Sequence, residues 1–402
     1  MRAHQTIRRA IVAVALSGTL VAAAVAGSVG SAGGATPATT NPVTAAGYAG
    51  RWLAASVTAD GFVPKPNGDP SPGGTLQAAL ALATAGVDQA TFAKTVSWLG
   101  AHVDDVTGTG TDTDAGNVGY LLLVVDAAGQ NPNAFGGVNL VSRLTGTIST
   151  FNATTDPGLY GAADPTYDGT FRQGVAILGL EAAGASVPAA ATNWLLNRQC
   201  GTSDPLVRGA WESYRLVADA CTAGDPVHYS GVDTNSTALA AGALVAAGVT
   251  PTFAPLPYFQ AVQNPTGGWG YVGGLPDDPN SDGVVMQAIV ALGGQLSTGD
   301  FVQSDGSTPY TSLLSFQLGC DADPADQGAF TFPGSDNAPN ALATEQAIWG
   351  AMARPFPLTA VTFVDAPVPC VAPPTTTVPG ATTTTAIPGA VEAVEATPAF
   401  TG

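Results

Sequence analysis

Charge is what this chain has least of: only 10% of its 402 residues are Asp, Glu, Lys or Arg. The shortage is one-sided. Beyond the first ten residues there are two lysines, Lys65 and Lys94, and seven arginines, against 30 acids in the whole chain. The formal charge of −18 repels a phosphate backbone, which argues against nucleic-acid binding. Histidine is nearly absent. His102 and His228 are the two beyond the leader, and neither stands in a nucleophile or base motif, so a Ser-His-Asp triad has no base to use. Four cysteines occur, none in C-x-x-C spacing, which leaves a zinc site poorly served. No apolar run reaches the roughly 20 residues of a membrane span. The longest, Ile11–Ala26, follows Arg2, Arg8 and Arg9 and ends in Ala24-Val25-Ala26, with Gly33-Gly34-Ala35 a second cleavage candidate. This is the layout of a signal peptide over residues 1–35. An extracellular or cell-envelope protein is expected, with no transmembrane helix in the mature chain.

In an exported chain an even number of cysteines reads as disulfides. Three connectivities exist for Cys200, Cys221, Cys320 and Cys370; sequential pairing, Cys200–Cys221 and Cys320–Cys370, closes the shortest loops. Residues 36–45 read as a small-residue linker. Residues 371–402 form a Pro/Thr/Ala-rich tail without the large apolar residues of a core, which reads as disordered or stalk-like. The globular part is expected over 46–370.

Within it one phrase recurs, an apolar run closed by Ala-Ala-Gly or a variant. It ends at Gly86, Gly129, Gly184, Gly248 and Gly293, and a sixth copy, Ala341–Met352, lacks the final Gly. Apolar residues at i, i+3, i+4 and i+7 fit helices, and the Gly fits their C-terminal stop. Asp114, Asp168, Asp233-Thr234-Asn235, Ser281-Asp282 and Asn337 precede the copies as N-cap candidates. A second, bulkier set lies between: Tyr48–Ser56, Phe92–Val103, Val138–Thr150, Ala189–Cys200, Pro257–Gln263 and Tyr310–Gly319. Neither set buries its apolar face alone. The intervals vary, which opposes an open solenoid. An all-α α/α toroid, six slim inner helices inside six outer ones, satisfies both patterns.

Phe259-x-x-x-Gln263-x-x-x-Gly267-x-Trp269 resembles the QW repeat of terpenoid cyclases and protein prenyltransferase β-chains. Leu195-x-x-x-Gln199 and Leu313-x-x-x-Gln317 resemble degenerate copies, without Gly-x-Trp at the same distance. The resemblance implies the toroid fold, with Phe259, Gln263, Gly267 and Trp269 in structural roles and the Gln amide over the Trp ring. Asp233-Thr234-Asn235-Ser236-Thr237-Ala238 is also similar to the inner-helix starts of transcobalamin-type cobalamin carriers. That resemblance implies that Asp233, Thr234 and Asn235 line a ligand.

The chemistry of these relatives is not matched. Cyclization needs the acid motif D-x-D-D, and the nearest sequence, Asp321-Ala322-Asp323-Pro324, has Pro in fourth place. Asp219-Ala220-Cys221 has the prenyltransferase zinc spacing, but His228 is too near. Asp278-x-Asn280-x-Asp282-Gly283 matches the first half of a calcium loop and lacks its final Glu. Glycan cleavage needs two carboxylates in a cleft; Glu212, beside Trp211 and Tyr214, is the first candidate, with Asp168, Asp233 and Glu345 as partners. Aromatic residues Tyr160, Tyr167, Phe171, Trp211, Tyr214, Tyr229, Trp269 and Tyr271 gather in turns at one end of the expected ring. Asp168, Arg172, Trp211, Asp233, Thr234, Asn235, Trp269 and Tyr271 are the expected ligand-lining residues. A binding module without catalysis is the leading reading, taking a small molecule or glycan and no cofactor, calcium being the weak exception. A cyclase-like or glycan-cleaving enzyme and a structural stalk head remain open.

Overall fold

A computed structural model of the chain describes residues 38–162, 169–213, 221–227, 230–358 and 360–370. The leader and tail readings, with Asp168, Tyr167, Tyr214, Asp219, His228 and Tyr229, lie outside the described residues.

The apolar runs are helices: α2 (Pro72–Ala85), α5 (Ala115–Ala127), α7 (Thr170–Ala182), α9 (Thr234–Ala246), α11 (Pro279–Ala291) and α13 (Ala341–Met352). Between them stand α1 (Pro42–Ser56), α3 (Gln89–Ala101), α6 (Leu140–Phe151), α8 (Ala189–Leu196), α10 (Leu256–Ala261) and α12 (Pro309–Leu314), and a single extra turn, α4 (Val103–Thr107). Each slim helix packs on the next, α2 on α5, α5 on α7, α7 on α9, α9 on α11 and α11 on α13; α13 packs back on α2 and closes the ring. Among the described residues the fold is an all-α toroid of six inner and six outer helices.

The stops follow from backbone sterics. Gly129, Gly184, Gly248 and Gly293 take left-handed φ, and the next amide in each case bonds a carbonyl five residues back, as Gln130 does to Val125 at 2.9 Å. This arrangement ends a helix while satisfying its last carbonyls. The sixth copy has no Gly, and Ala353 adopts the same left-handed conformation at φ 46°.

Small residues let the inner helices touch. A Cβ on Gly283 would stand 2.0 Å from the Gln346 carbonyl oxygen, so α11 and α13 meet backbone to backbone. The middles of the inner helices are buried on all sides. Tyr120 of α5 and Trp349 of α13, on the two helices that flank α2, bring their rings to 6.2 Å. Phe356 stands edge-on to Trp349 at 5.4 Å and, with Pro355, closes the C-terminal end. Leu178, Ala238, Leu239, Gly242, Val284, Gln287, Ala288 and Ala291 line the space beneath it; it has room for about one water molecule.

Both sequential disulfides are present, Cys200–Cys221 and Cys320–Cys370. The second ties down the segment after α13, where Phe363 packs on Phe92 and the Val364 amide bonds the Gly86 carbonyl. Three expectations are corrected. Helix α1 begins at Pro42, capped by Asn41, inside the stretch read as linker. Asp278, followed by Pro279 at the first helical position, caps α11 in place of Ser281 or Asp282. Asn340, not Asn337, caps α13.

Candidate ligand-binding site

The turns that enter the inner helices share one construction. In the Gln263 repeat, the side-chain amide donates to the carbonyl of Gly267 at 2.7 Å and to that of Phe301 at 3.0 Å. It therefore ties its own turn to the next repeat. Trp269 is wholly buried, and its indole N–H donates to the Phe259 carbonyl at 2.8 Å. The motif's Gln holds the turn through these carbonyls. The Gln199 repeat is complete after all. Gln199 donates to Gly209 and Phe253 carbonyls, and the Trp211 indole donates to Leu195 at 2.8 Å. Gly209-x-Trp211 plays the part of Gly267-x-Trp269 after a longer loop. Gln317 donates to the carbonyls of Gly328 and of Ala45 in α1, joining last repeat to first, with buried Phe330 in place of Trp.

The fourth residue of the inner helix completes the construction by accepting the turn's amide. Thr75 accepts from Val63, Gln173 from Tyr160, Thr237 from Trp211 and Thr344 from Phe330, at 2.9–3.0 Å. In α11 this position is Asp282, which accepts from Trp269 at 2.7 Å. Its other oxygen meets the Ser312 hydroxyl, which also meets Asp277 at 2.8 Å. One hydroxyl hydrogen cannot serve two carboxylates, so the chain closes when Asp282 is protonated and donates to Ser312. Burial and the neighbouring Asp277 push the Asp282 pKa well above the carboxylate range in agreement.

The other acids are similarly engaged. Asp233 is fully buried, caps α9 through the Ser236 amide at 2.7 Å and binds the Ser213 hydroxyl, which contacts the Tyr271 hydroxyl at 2.6 Å. Burial raises its pKa to about 6. Asp278 caps α11 at Ser281 and is raised to about 6, again by burial. Glu212 lies in a two-stranded ribbon, β1 (Trp211–Glu212) against β2 (Val232–Asp233). It accepts from the Cys221 amide at 2.6 Å beside the disulfide, and burial raises its pKa. Asp321 and Asp323 stand in a solvent-facing turn, where Asp323 accepts from Ala325.

The expected ligand residues therefore divide. Trp211 and Trp269 are fully buried packing groups, which corrects their place among the lining residues. Thr234 is spent on the carbonyls of Gly270 and Tyr271. Arg172 turns its guanidinium to the Ala162 carbonyl at 2.8 Å. Residues 279–291 are helical, so Asp278, Asn280 and Asp282 point to different surroundings and do not wrap an ion as a loop would. Among the described residues no three acidic, His or Cys side chains are arranged to hold a metal.

The inner face near the helix N-termini is different. Glu345 stands one turn before Trp349 on the same face of α13, Asn280 one turn before Val284 on α11, and Asn235 before Ala238 on α9. Glu345 is 3% exposed and has no hydrogen bond among the described residues. Burial alone pushes its pKa well above the usual range. Asn280 Oδ1 and Gln77 Oε1 of α2 are buried without a partner. Asn235 is half-exposed, its Oδ1 taken by Thr234 at 3.1 Å.

No family model matches the chain, and no curated protein matches its sequence. Solved structures do. A variant of the type II terpene cyclase MstE from Scytonema, in complex with its substrate geranylgeranyl dihydroxybenzoate, aligns with a TM-score of 0.52 at 14% identity, over 78% of this chain and 97% of that one. The chain has the terpenoid-cyclase toroid fold. An alpha-1,6-mannanase from Salegentibacter aligns more loosely, with a TM-score of 0.44 at 13% identity over 78% and 98% of the two chains. At 14% identity the likeness to MstE is one of toroid fold. In this toroid Trp269 and Trp211 are the paired fastenings of adjacent repeats. The residue sequence reasoning missed is Gln77 of α2, whose Oε1 is buried without a partner.

Proposed function

We propose that the chain is an exported, non-catalytic binding module that takes a small polar ligand, such as a glycan fragment, on the inner face of the ring near the inner-helix N-termini. The observation that carries this reading is the division of the polar groups. Glu212, Asp233, Asp278 and Asp282 are consumed in holding turns, whereas the Glu345 carboxyl is buried without a hydrogen bond among the described residues and Asn280 Oδ1 and Gln77 Oε1 are buried acceptors without a partner. A native structure keeps few such groups, and an unfilled site is one reason to keep them. Of the carboxylates considered for glycosidic cleavage, Glu212 and Asp233 are engaged in hydrogen bonds, and Asp168 lies outside the described residues. The disulfides and the leader-like segment support a place outside the cytoplasm.

Thermal melts of the protein with glycans, isoprenoids, cobalamins and calcium test the reading. A native-state ligand raises stability by about 2.7 kcal/mol at a hundredfold excess over Kd. A rise with a small polar class, with the ligand recovered unchanged, is expected. Conversion of the ligand, or no rise with any class, overturns it. The second reading is a structural head on a stalk, favoured by the ring contact of Tyr120 with Trp349.

A further inference from the structure

We infer that Asp277, Ser312 and Asp282 form a proton-operated clasp, which fastens α12 to the turn ahead of α11 and opens when Asp282 gives up its proton. The clasp joins three parts of the fold. Asp277 belongs to the turn between α10 and α11, Asp282 to α11 and Ser312 to α12. All three side chains are buried. The Ser312 hydroxyl meets Asp277 at 2.8 Å and Asp282 at 2.9 Å. Asp277 also accepts from the Thr266 hydroxyl and the Asn264 side-chain amide, both in its own turn. Asp282 has the Trp269 amide on its first oxygen. Its second oxygen has only Ser312, so that is where the shared proton is held.

Removal of that proton leaves two carboxylates within two hydrogen-bond lengths of each other, facing a hydroxyl with one hydrogen. One of them is then buried without its donor and beside a like charge. Parting α12 from the turn admits water to it and relieves both costs. The space was made for this contact: a Cβ on Gly268 would stand 2.1 Å from Ser312 Oγ and 2.5 Å from Asp282 Oδ1. The neighbouring repeats hold the same turn amide with neutral acceptors, Thr75, Gln173, Thr237 and Thr344, which work at every pH. Asp282 makes the fastening conditional on a proton in this repeat. Asp277 and Asp278 are the charged groups that act on it, and both raise its pKa after burial does. Of the other elements packed on α11, α9 carries Asp233 at its cap, α13 carries Glu345 and α12 carries Tyr310. Burial raises each of these three, and none feels the Asp282 charge.

Hydrogen exchange of the full protein, read by mass spectrometry from pH 5 to pH 8.5 and corrected for the intrinsic rate, tests the clasp. The reporters are residues 264–277 and 309–314. The reference is the turn 58–63, held by Thr75, which carries the effect of pH on the protein as a whole. Protection of the reporters is expected to fall at least tenfold relative to the reference as the pH rises. In Asp282→Asn the side-chain oxygen still accepts from Trp269 and its amide donates to Ser312 without ionising, so that relative fall is expected to disappear. Reporters that keep pace with the reference at every pH would overturn the proposal, and this comparison needs only the wild-type protein. An equal relative fall in Asp282→Asn would overturn it too, and would assign the change to Asp278 or to another acid.

Discussion

Raising the pH should destabilise this protein, and Asp233 shows why. Its carboxyl is fully buried, and burial raises its pKa from 3.8 to about 6. An acid whose folded pKa is raised binds its proton more tightly when folded. Stability is therefore greatest below the unfolded value, begins to fall as the pH passes 3.8, and has lost its full amount above about 6. At 1.36 kcal/mol per pKa unit, the cost is about 3 kcal/mol for Asp233. Asp278, with the same raised value, adds a similar amount, and Asp282 and Glu345 act in the same direction. Net negative charge also grows over this range, so the wild-type trend alone does not isolate the cause. The comparison with Asp233→Asn does, because the background cancels. Asn still caps α9 but cannot ionise. Urea unfolding of both proteins from pH 4 to pH 8 should show the variant losing ground at pH 4 and gaining about 3 kcal/mol on the wild type by pH 7. A difference between the two that stays constant with pH would refute the reasoning.

Three further outcomes follow from the repeat construction. Gln199→Ala and Gln263→Ala each strip two carbonyls of their donor and should cost about 2–3 kcal/mol apiece in urea unfolding. Asp282→Thr supplies the residue that Thr75, Thr237 and Thr344 use at the same position; above pH 7 it should be at least as stable as wild type, whereas Asp282→Ala, which orphans the Trp269 amide, should lose about 1–3 kcal/mol. Ala353→Gly relieves a left-handed alanine and should raise stability by about 0.5–1 kcal/mol, measured by the same unfolding curves.

Much of the ring is legible in the sequence because its elements are local. The six Ala-rich runs have helical period and, in five cases, a glycine stop; they became α2, α5, α7, α9, α11 and α13. The outer set was visible through its bulky residues, although α10 and α12 proved only six residues long. The limits came from contacts distant in sequence. Gln199 and Trp211 belong to one fastening, but the loop between Gln199 and Gly209 hides the spacing that marks Gln263 and Gly267. Asp282 resembled a cap because its helix start was placed late; the Asp278-Pro279 pair was the stronger signal. The isolation of Glu345 depends on which side chains surround it across the ring, and no local pattern encodes that.

The most direct measurement is a crystal structure of the protein grown with whichever ligand most raises its melting temperature. The account predicts intact ligand on the inner face, in contact with Glu345 and Asn280. Ligand on the outer helices, or a reaction product in the ring, would contradict it.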